Sequence, residues 1–394
     1  MKVFVAHILA CCIGLIALII CKNSIDKYWD KKYPISFVNA KDAHLANYNY
    51  LQPDVNLTIA HSIKQGIPLV FGSSELSSSH LKAVCYNFFK EKGIKLQTMG
   101  HAGCQCFAIS SILAANANLL KEGRIVINLS PVWFEGNYAR KGTDIECFLE
   151  YNNIYNMQSV LTNTILPKAY KNYYSQYISK KLSSINSPNA LVNLLAFQDK
   201  NKILYAPFNA INQFIYNQQY ANDWHLQTLQ AYQQSIEKTT LRYSFFKPVV
   251  NWDSLYRQAI SAFEEQSTNN NLGVENNYYS TWLKGKRLKL IEPVSNNQEF
   301  EDFKMLLQLC VKTNCKPIFT ITPINTLCYA NPKDIEPIMN DVMTELDTYG
   351  FSYLNLFTNN LKRYEKGVLE DIMHPGEYGW YQLDKYMMDE FGSN

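Results

Sequence analysis

A short apolar run and a polar turn follow one another in Ile67-Pro68-Leu69-Val70-Phe71-Gly72-Ser73-Ser74-Glu75. An apolar run of this length, bounded by turn residues, is typical of a fully buried strand. Helical spacing is predicted to follow it, over residues 76–90. The order strand, turn, helix, with a serine pair in the turn, indicates both a class of fold and a place where chemistry can occur.

The same alternation continues along the chain. Further strands are predicted at residues 94–99, 124–129, 317–322 and 353–357, and further helices at residues 107–120, 300–312, 335–349 and 378–391. Strands that alternate with helices are joined by right-handed crossovers. The pattern therefore predicts an α/β fold with a doubly wound parallel sheet that has helices on both faces.

Residues 145–294 interrupt this alternation. Their pattern is mainly helical and they are rich in Tyr, Asn, Gln and Leu. Since sheet-like alternation resumes after them, we interpret them as a helical insertion on the sheet rather than as an independent domain. The α/β core is thus predicted to be split in sequence, over residues 60–144 and 295–394.

The first residues carry a membrane signal. An apolar run of 19 residues, from Val3 to Cys21, is broken only by His7 and is long enough to cross a bilayer as one helix. We therefore predict an uncleaved transmembrane anchor at residues 1–22, followed by a linker at residues 23–60. The segment Leu9-Ala10-Cys11 also resembles a lipoprotein cleavage site, but few apolar residues precede it.

Two considerations bear on the orientation of this anchor in the membrane. Lys22, Lys27, Lys31 and Lys32 follow the apolar run, and the positive-inside rule then favours a cytoplasmic body. Large domains, however, translocate largely regardless of such charges.

Charge and aromatic content narrow the classes of partner. The net charge is +3 and the charges are well mixed, which gives no support for nucleic-acid binding. The chain has 27 tyrosines, and tyrosine suits a surface that meets lipid headgroups, glycans or a membrane partner. Tyrosine-rich helices that pack on one another explain the same composition, so both interpretations stay open.

Cysteines offer a possible metal site. Cys104, Cys106 and the nearby His101 are candidate metal ligands. No second Cys/His cluster completes the four ligands that structural zinc requires. We therefore predict neither a metal nor another cofactor. Cys310 and Cys315 fit either a disulfide outside the cytoplasm or two buried thiols.

The serine turn lies where an open parallel sheet binds its ligands, beyond the carboxyl ends of the strands. Ser74 is predicted at the start of the following helix, where free N–H groups favour a developing negative charge. It is therefore a candidate nucleophile. Alternatively, Ser73 or Ser74 serves only as the N-cap of that helix, which is a common use of serine.

The ends of the next two strands supply candidates for the rest of the pocket. Gly100-His101-Ala102-Gly103 ends the second strand, and the Gly103 N–H is a candidate oxyanion donor, although a plain tight turn explains the motif equally well. Asn128, Ser130, Trp133 and Phe134 end the third strand at the same rim. We assign five residues to the oxyanion and substrate pocket: Gly103, Ser73, Gln105, Ser130 and Trp133.

Asp371 and His374 follow the last strand. A spacing of three residues lets the carboxylate reach Nδ1 of the imidazole while Nε2 faces a serine, whose proton a base must take. We therefore predict the catalytic set Ser74, His374 and Asp371. The alternative is a helix-capping segment with an exposed histidine.

The order of these motifs resembles the SGNH (GDSL-like) hydrolase superfamily, in which a Gly-Asp-Ser turn follows the first strand and Asp-x-x-His lies near the C-terminus. Aligned on that turn, the chain has Ser74 as the nucleophile and Gly103 as the oxyanion glycine. The superfamily's Gly-x-Asn-Asp block has no counterpart after the third strand, where the sequence is Leu129-Ser130-Pro131-Val132-Trp133-Phe134. The resemblance therefore leaves the third oxyanion donor unassigned.

A narrower resemblance covers most of the chain. Six features contribute to it. Two are the N-terminal anchor and the tyrosine-rich insertion. The other four are motifs: Phe71-Gly72-Ser73-Ser74-Glu75-Leu76, Ser130-Pro131-x-Trp133-Phe134, Thr322-Pro323-Ile324-Asn325 and Asp371-x-x-His374-Pro375-Gly-x-x-Gly-Trp380. Together they resemble the DltD family of D-alanyl transfer proteins. Cys104, Cys106 and the asparagine-rich loops depart from typical members, which leaves open a divergent relative with a different acyl group.

This resemblance implies a function at the cell envelope. Members work outside the cytoplasm beside a membrane-bound O-acyltransferase of DltB type, and esterify D-alanine onto teichoic acid. For this chain it implies a single-pass cell-membrane protein with its body outside the cytoplasm. The implied acceptor is lipoteichoic acid or a similar polymer, and an acyl carrier protein is a further candidate partner. Two alternatives remain: an acetyl or acyl transferase or esterase for an exopolysaccharide, and a non-catalytic partner in an acyltransferase complex.

Overall fold

One parallel sheet organises the described part of the chain. A computed structural model describes residues 2–32, 55–152, 154–184, 248–286, 290–358 and 364–392. The strands are β1 (Leu69–Phe71), β2 (Gln97–Met99), β3 (Ile125–Leu129), β4 (Ile318–Ile321) and β5 (Tyr353–Asn355). Their order is β2-β1-β3-β4-β5, with every neighbouring pair parallel. The direction of winding reverses between β1 and β3, so the crevice for a ligand is expected beyond the carboxyl ends of these two strands.

The strand side chains alternate between two hydrophobic cores. In β1, Leu69 and Phe71 belong to the larger core, whereas Val70 belongs to the smaller core; in β3, Val126 joins Val70. Successive side chains of a strand point to opposite faces, so a strand that is buried on both faces needs a continuous apolar run. The prediction of a parallel α/β sheet is confirmed.

Most of the described helices pack against one of the two cores. In chain order they are α1 (Lys2–Lys32), α2 (Val55–Lys64), α3 (Cys85–Glu91), α4 (Cys106–Ala115), α5 (Gly136–Lys141), α6 (Ile145–Tyr151), α7 (Ile154–Thr162), α8 (Lys168–Ser184), α9 (Trp252–Gln266), α10 (Gln298–Thr313), α11 (Glu336–Tyr349) and α12 (Glu377–Gly392). Shorter segments are Asn276–Tyr278, the π-helical turn Tyr279–Leu283, and the 3-10 turns Ser74–Ser77, Leu120–Glu122, Pro131–Phe134 and Pro332–Ile335. Residues of α2, α4, α6, α7, α8, α10 and α11 fill the larger core, and residues of α3, α9 and α12 fill the smaller one.

The helix predicted at residues 76–90 is wrong over its first half. Ser74–Ser77 form a single 3-10 turn, and the α-helix begins only at Cys85. Serine is a poor residue for a helix interior, and three serines occupy positions 77–79, where the Ser78 hydroxyl donates to the Glu370 carboxylate at 3.1 Å. The carboxylate of Glu377, at the start of α12, then accepts hydrogen bonds from the backbone N–H groups of Lys82 and Ala83.

The predictions for the N-terminal region have different outcomes. No helix among the described residues combines the length and the apolar character that crossing a membrane requires, so the anchor at residues 1–22 stays an unconfirmed prediction. The predicted linker contains residues 33–54, which lie outside the described residues. Helix α2 begins at Val55 and places Ile59 and Ile63 in the larger core, so the core begins before residue 60.

The described parts of residues 145–294 pack directly on the sheet's helices. Phe107 of α4 stacks on Tyr177 of α8 with ring centroids 3.6 Å apart, and Tyr170 and Tyr174 are buried in the same core. On the other face, α9 packs against α12. The tyrosines of α8 thus fill a core, as the second of the two interpretations expects. Residues 185–247 of the predicted insertion lie outside the described residues.

Candidate active site

A serine, a histidine and an aspartate meet near the carboxyl end of β1. Ser74 Oγ lies 2.8 Å from His374 Nε2, and His374 Nδ1 lies 2.7 Å from Asp371 Oδ2. A carboxylate only accepts hydrogen bonds, so Nδ1 carries the proton and Nε2 is left to accept from the Ser74 hydroxyl. A serine nucleophile needs this arrangement. The structure brings together all three residues of the predicted catalytic set.

The turn that carries Asp371 and His374 is ordered by the aspartate itself. Asp371 Oδ1 accepts hydrogen bonds from the backbone N–H groups of Met373 and His374, each at 2.8 Å. Such bonds are typical of an Asx turn, and here the other carboxylate oxygen binds the imidazole. The spacing of three residues therefore lets one carboxylate shape the backbone and orient the ring. The alternative of an exposed histidine is wrong, because the ring is largely buried and both of its nitrogens are bonded.

Asn325 attaches this turn to the end of β4. Its side-chain Nδ2 donates to the backbone carbonyl oxygens of Leu272 at 2.9 Å and Asp371 at 3.2 Å, and its own N–H donates to Ile372 O at 3.1 Å. Asn325 is fully buried. One amide thus holds together three segments that are distant in sequence.

The surroundings of His374 favour its protonated form. Burial of the ring lowers the pKa, but the hydrogen bond and charge of Asp371 raise it, and the charges of Glu75 and Glu370 add to that effect. The pKa of His374 is therefore above its usual value. A base with a raised pKa holds the proton of the serine more strongly once it has taken it.

Ser73 and Gly103 bond to each other rather than to Ser74. The Gly103 N–H donates to Ser73 Oγ at 3.1 Å, and Ser73 Oγ donates to His101 O at 3.1 Å. Ser73 makes no side-chain capping bond to the turn that follows, and Ser74 Oγ faces His374. The N-cap alternative for the serine pair is therefore wrong.

Two glycines in the turn after β2 leave room for neighbouring segments. Gly100 has φ +149°, and a Cβ there would lie 1.9 Å from the carbonyl oxygen of Gly72. Gly103 has φ +87°, and a Cβ there would lie 2.6 Å from Cys147 Sγ. A Cβ at position 100 would overlap backbone atoms, so Gly100 is needed for the close approach of the two turns, whereas at position 103 the positive φ favours glycine.

A small pocket of ≈ 50 Å³ opens beside the catalytic set. Its lining contains the candidate nucleophile, the histidine and all five residues assigned to the pocket from sequence: Ser74, His374, Ser73, Gly103, Gln105, Ser130 and Trp133. Five lining residues were not predicted: Glu75, Ala102, Val132, Tyr138 and Met373. Four of these lie within the motifs that predicted the site, so their place in the pocket could have been inferred from those motifs. Tyr138, on α5, carries no such signal.

Gln105, one of the lining residues, has a buried side-chain donor without a partner. The residue precedes α4 and is 1% exposed, and its Nε2 has no hydrogen-bond partner. A buried donor without a partner costs about 1–3 kcal/mol, so an oxygen atom supplied by a ligand would be a favourable partner.

Glu75 is the carboxylate in the pocket lining. It is 3% exposed, and its Oε1 accepts a hydrogen bond from the Ser73 N–H at 2.7 Å. Burial raises the pKa of Glu75, while the Ser73 bond and the positive charge that His374 can carry oppose this. The site therefore contains a second acidic group that the catalytic set does not use.

Several nearby side chains face the core rather than the pocket. Asn128 accepts a hydrogen bond from Thr320 through its side-chain oxygen, and Phe134 belongs to the larger core. Cys104 and Cys106 are fully buried, and burial raises the pKa of both thiols. Among the described residues, no group of three or more His, Cys, Asp or Glu side chains is arranged to hold a metal ion.

Comparison with known proteins gives one consistent family. A family model described as DltD protein matches residues 46–391. Protein DltD of Bacillus subtilis (strain 168) is 24% identical over 350 residues, which cover 82% of this chain and 81% of that protein. Protein DltD of Staphylococcus aureus (strain NCTC 8325 / PS 47) is 22% identical over 327 residues, which cover 80% and 78%. Because the match with the family model spans the serine turn, the glycine turn and the Asp-x-x-His turn alike, this chain belongs to the DltD protein family.

Proposed function

We propose that this chain is a serine O-acyltransferase or esterase of SGNH type that acts in the D-alanylation of teichoic acid or a similar envelope polymer. The hydrogen-bonded series from Asp371 through His374 to Ser74 carries the proposal, because it can turn a hydroxyl into a nucleophile. Membership of the DltD family supports D-alanine as the acyl group.

The first step is acylation of Ser74. Its Oγ attacks the carbonyl carbon of an ester or thioester donor while His374 Nε2 takes the hydroxyl proton. Asp371 keeps the proton on Nδ1 and stabilises the imidazolium that forms. When the tetrahedral intermediate collapses, the bond to the leaving group breaks, and that group takes the proton from Nε2. Ser74 then carries the acyl group as an ester.

The oxyanion of this intermediate needs donors that are aimed at it. Gln105 Nε2 is suited to this task, because it is buried in the pocket lining and has no partner. It would replace the oxyanion donor that the SGNH superfamily takes from the asparagine of its Gly-x-Asn-Asp block, which this chain lacks. The Gly103 N–H contributes only after the Ser73 hydroxyl, which now accepts it, turns away. One such donor is worth roughly 10²–10³ in rate.

The second step returns the enzyme to its starting state. A hydroxyl of the acceptor polymer attacks the acyl-Ser74 ester while His374 takes its proton. The bond to Ser74 Oγ then breaks, and the proton passes from His374 to Ser74. The acyl group ends on the polymer, and with water as acceptor the same steps hydrolyse the ester.

The place of action is the outer face of the cell membrane. The apolar residues 3–21 would hold the chain as a single-pass anchor, with its body outside the cytoplasm. A lone anchor cannot carry an activated acyl group across a bilayer. A membrane-bound O-acyltransferase of DltB type is therefore the partner, with an acyl carrier protein upstream and lipoteichoic acid as the acceptor.

Paired serine variants test the proposal. The full chain in mild detergent is incubated with an activated D-alanyl ester, and acylation is followed by the mass of the peptide that contains Ser74. Ser74→Ala should lower the rate roughly 10⁴-fold or more, as expected for a serine nucleophile. Ser73→Ala, the matched control, should stay within about tenfold of the unchanged chain, since its hydroxyl is not bonded to His374.

Two results would overturn the proposal or its assignment. Full activity in Ser74→Ala with loss in Ser73→Ala would exchange the roles of the two serines. No acylation of the unchanged chain by any activated ester would favour a non-catalytic partner of an acyltransferase complex.

A further inference from the structure

We infer that Glu75 is a specificity-determining residue whose carboxylate binds the ammonium group of the acyl chain. The inference rests on the proposed function and deepens it. It assigns one residue to the selection of the proposed D-alanyl group, whose amine is positively charged, over neutral acyl groups such as acetyl or propionyl.

The position of Glu75 relative to the nucleophile is the first argument. Glu75 follows Ser74 in the chain and lines the same ≈ 50 Å³ pocket as Ser74 and His374. Its carboxylate folds back over the turn and accepts the Ser73 N–H at 2.7 Å. Gly72 makes room for it, since a Cβ at that position would lie 2.6 Å from Glu75 Oε1. The carboxylate is thus held by the backbone of the turn that carries Ser74.

The charge of the pocket is the second argument. None of the described residues that line it is a lysine or an arginine. The titratable cation beside Glu75 is His374, which must be neutral when it takes the Ser74 proton. A buried carboxylate without a permanent counter-charge is costly, and an ammonium group brought by the substrate would supply that charge.

The aromatic residues of the pocket are the third argument. Trp133 and Tyr138 line it together with Glu75. Aromatic faces attract cations, and the combination of a carboxylate with aromatic rings is suited to an ammonium group. The small volume suits an acyl group of a few heavy atoms. The pocket therefore combines small size with a preference for positive charge.

A competing explanation assigns Glu75 only to the turn, through its bond with the Ser73 N–H. The variant Glu75→Gln separates the two explanations. Glutamine keeps a side-chain oxygen that can accept the Ser73 N–H, but it carries no charge. If Glu75 only orders the turn, this variant should treat charged and neutral acyl groups alike.

The main experiment compares two activated esters with the same leaving group, a D-alanyl ester and a propionyl ester that lacks only the amine. The unchanged chain should be acylated faster by the D-alanyl ester. Glu75→Gln should lower kcat/KM for this ester by roughly 30-fold or more, the lower range for loss of one partner of a buried charge pair. For the propionyl ester kcat/KM should stay within about threefold. Equal losses for both esters, or no loss for either, would overturn the inference.

Glu370→Gln is the matched control. Glu370 also acts on the charge of His374, but it lies outside this pocket, where it binds Ser78 and His80. Its removal should leave the ratio of D-alanyl to propionyl acylation unchanged. A change of that ratio as large as in Glu75→Gln would show a general electrostatic effect and would overturn the inference.

A binding measurement keeps the inference separate from the proposed catalysis. In the Ser74→Ala chain, which cannot form the acyl ester, titration calorimetry compares D-alanine methyl ester with methyl propionate. The charged ester should bind more tightly, and the double variant Ser74→Ala/Glu75→Gln should lose the preference. Equal binding of both esters would overturn the inference. Failure of acylation in the unchanged chain, with the preference intact, would instead count against the proposed function alone.

Discussion

Ser73 and Ser74 are neighbours with the same hydroxyl group, yet their hydrogen bonds give them different tasks. Ser74 Oγ meets His374, whereas Ser73 Oγ is shared between the Gly103 N–H and the carbonyl oxygen of His101. Reactivity depends on which hydroxyl has a base as its partner, since serine alone is a weak nucleophile. At the scale of single residues, the role of each serine therefore depends on its hydrogen-bond partner and not on its residue type.

The other two members of the catalytic set should differ in their importance. His374→Ala should lower acylation about as much as Ser74→Ala, because residues that act as a unit fail together. Asp371→Asn should cost less, since it removes a charge but leaves the base in place. Single-turnover acylation of the three variants checks this order. A His374→Ala chain with nearly full activity would contradict the proposed base.

Acylation should depend on pH through His374. Burial lowers the pKa of the ring, but Asp371, Glu75 and Glu370 raise it more, so the net shift is upward. The protonated ring cannot accept the Ser74 proton. The rate should therefore fall on acidification at a pH above the ~6.5 that is usual for histidine.

Glu370→Gln provides the check on this pH dependence. It removes one negative charge near the ring, which lowers the pKa of His374, and the acid limb of the kcat/KM profile should move to lower pH. An acid limb that does not move would contradict the cited cause of the shift.

At the scale of elements, the turn after β4 positions the turn that bears Asp371 and His374. Asn325→Ala would leave the carbonyl oxygens of Leu272 and Asp371 without its amide and would free the catalytic turn. Loss of a buried hydrogen-bonded amide costs about 1–3 kcal/mol in unfolding free energy. We also expect kcat of acylation to fall, with a smaller change in KM, because the base is displaced from Ser74.

Asn331→Ala is the control for this positioning effect. Asn331 also joins two segments, through hydrogen bonds with Ile291, but its contacts do not involve the catalytic turn. It should lower the unfolding free energy and leave the kcat of acylation unchanged. Chemical unfolding and acylation kinetics measure both quantities, and equal kinetic losses in the two variants would refute a specific role for Asn325.

Secondary structure was predictable from the sequence where periodicity is local and uninterrupted. The helices expected at residues 300–312, 335–349 and 378–391 correspond to α10, α11 and α12, each within a few residues. The helix expected at residues 76–90 failed over its first half, where a distant carboxylate, Glu377, accepts the backbone N–H groups of Lys82 and Ala83. A hydrogen bond from a segment distant in the chain cannot be predicted from the local pattern of apolar and polar residues.

At the scale of the whole molecule, the proposed envelope function requires the body to lie outside the cytoplasm. Fusion of reporters to the C-terminus tests this orientation. A phosphatase that is active only outside the cytoplasm should be active in the fusion, and a fluorescent protein that folds only inside should be dark. The opposite pair of results would remove access to the envelope polymer and with it the proposed acceptor.

The sequence by itself determined the alternation of strands and helices, the serine and glycine turns and the Asp-x-x-His pair. These depend on periodicity and on residues adjacent in the chain, whose geometry is fixed by short-range sterics and hydrogen bonds. Only the tertiary structure decided that Gly103 bonds to Ser73, that Gln105 keeps an unpaired donor, and that Glu75 lines the pocket. Those outcomes depend on which way side chains turn when segments up to 300 residues apart are packed together, and spacing along a chain carries no such information.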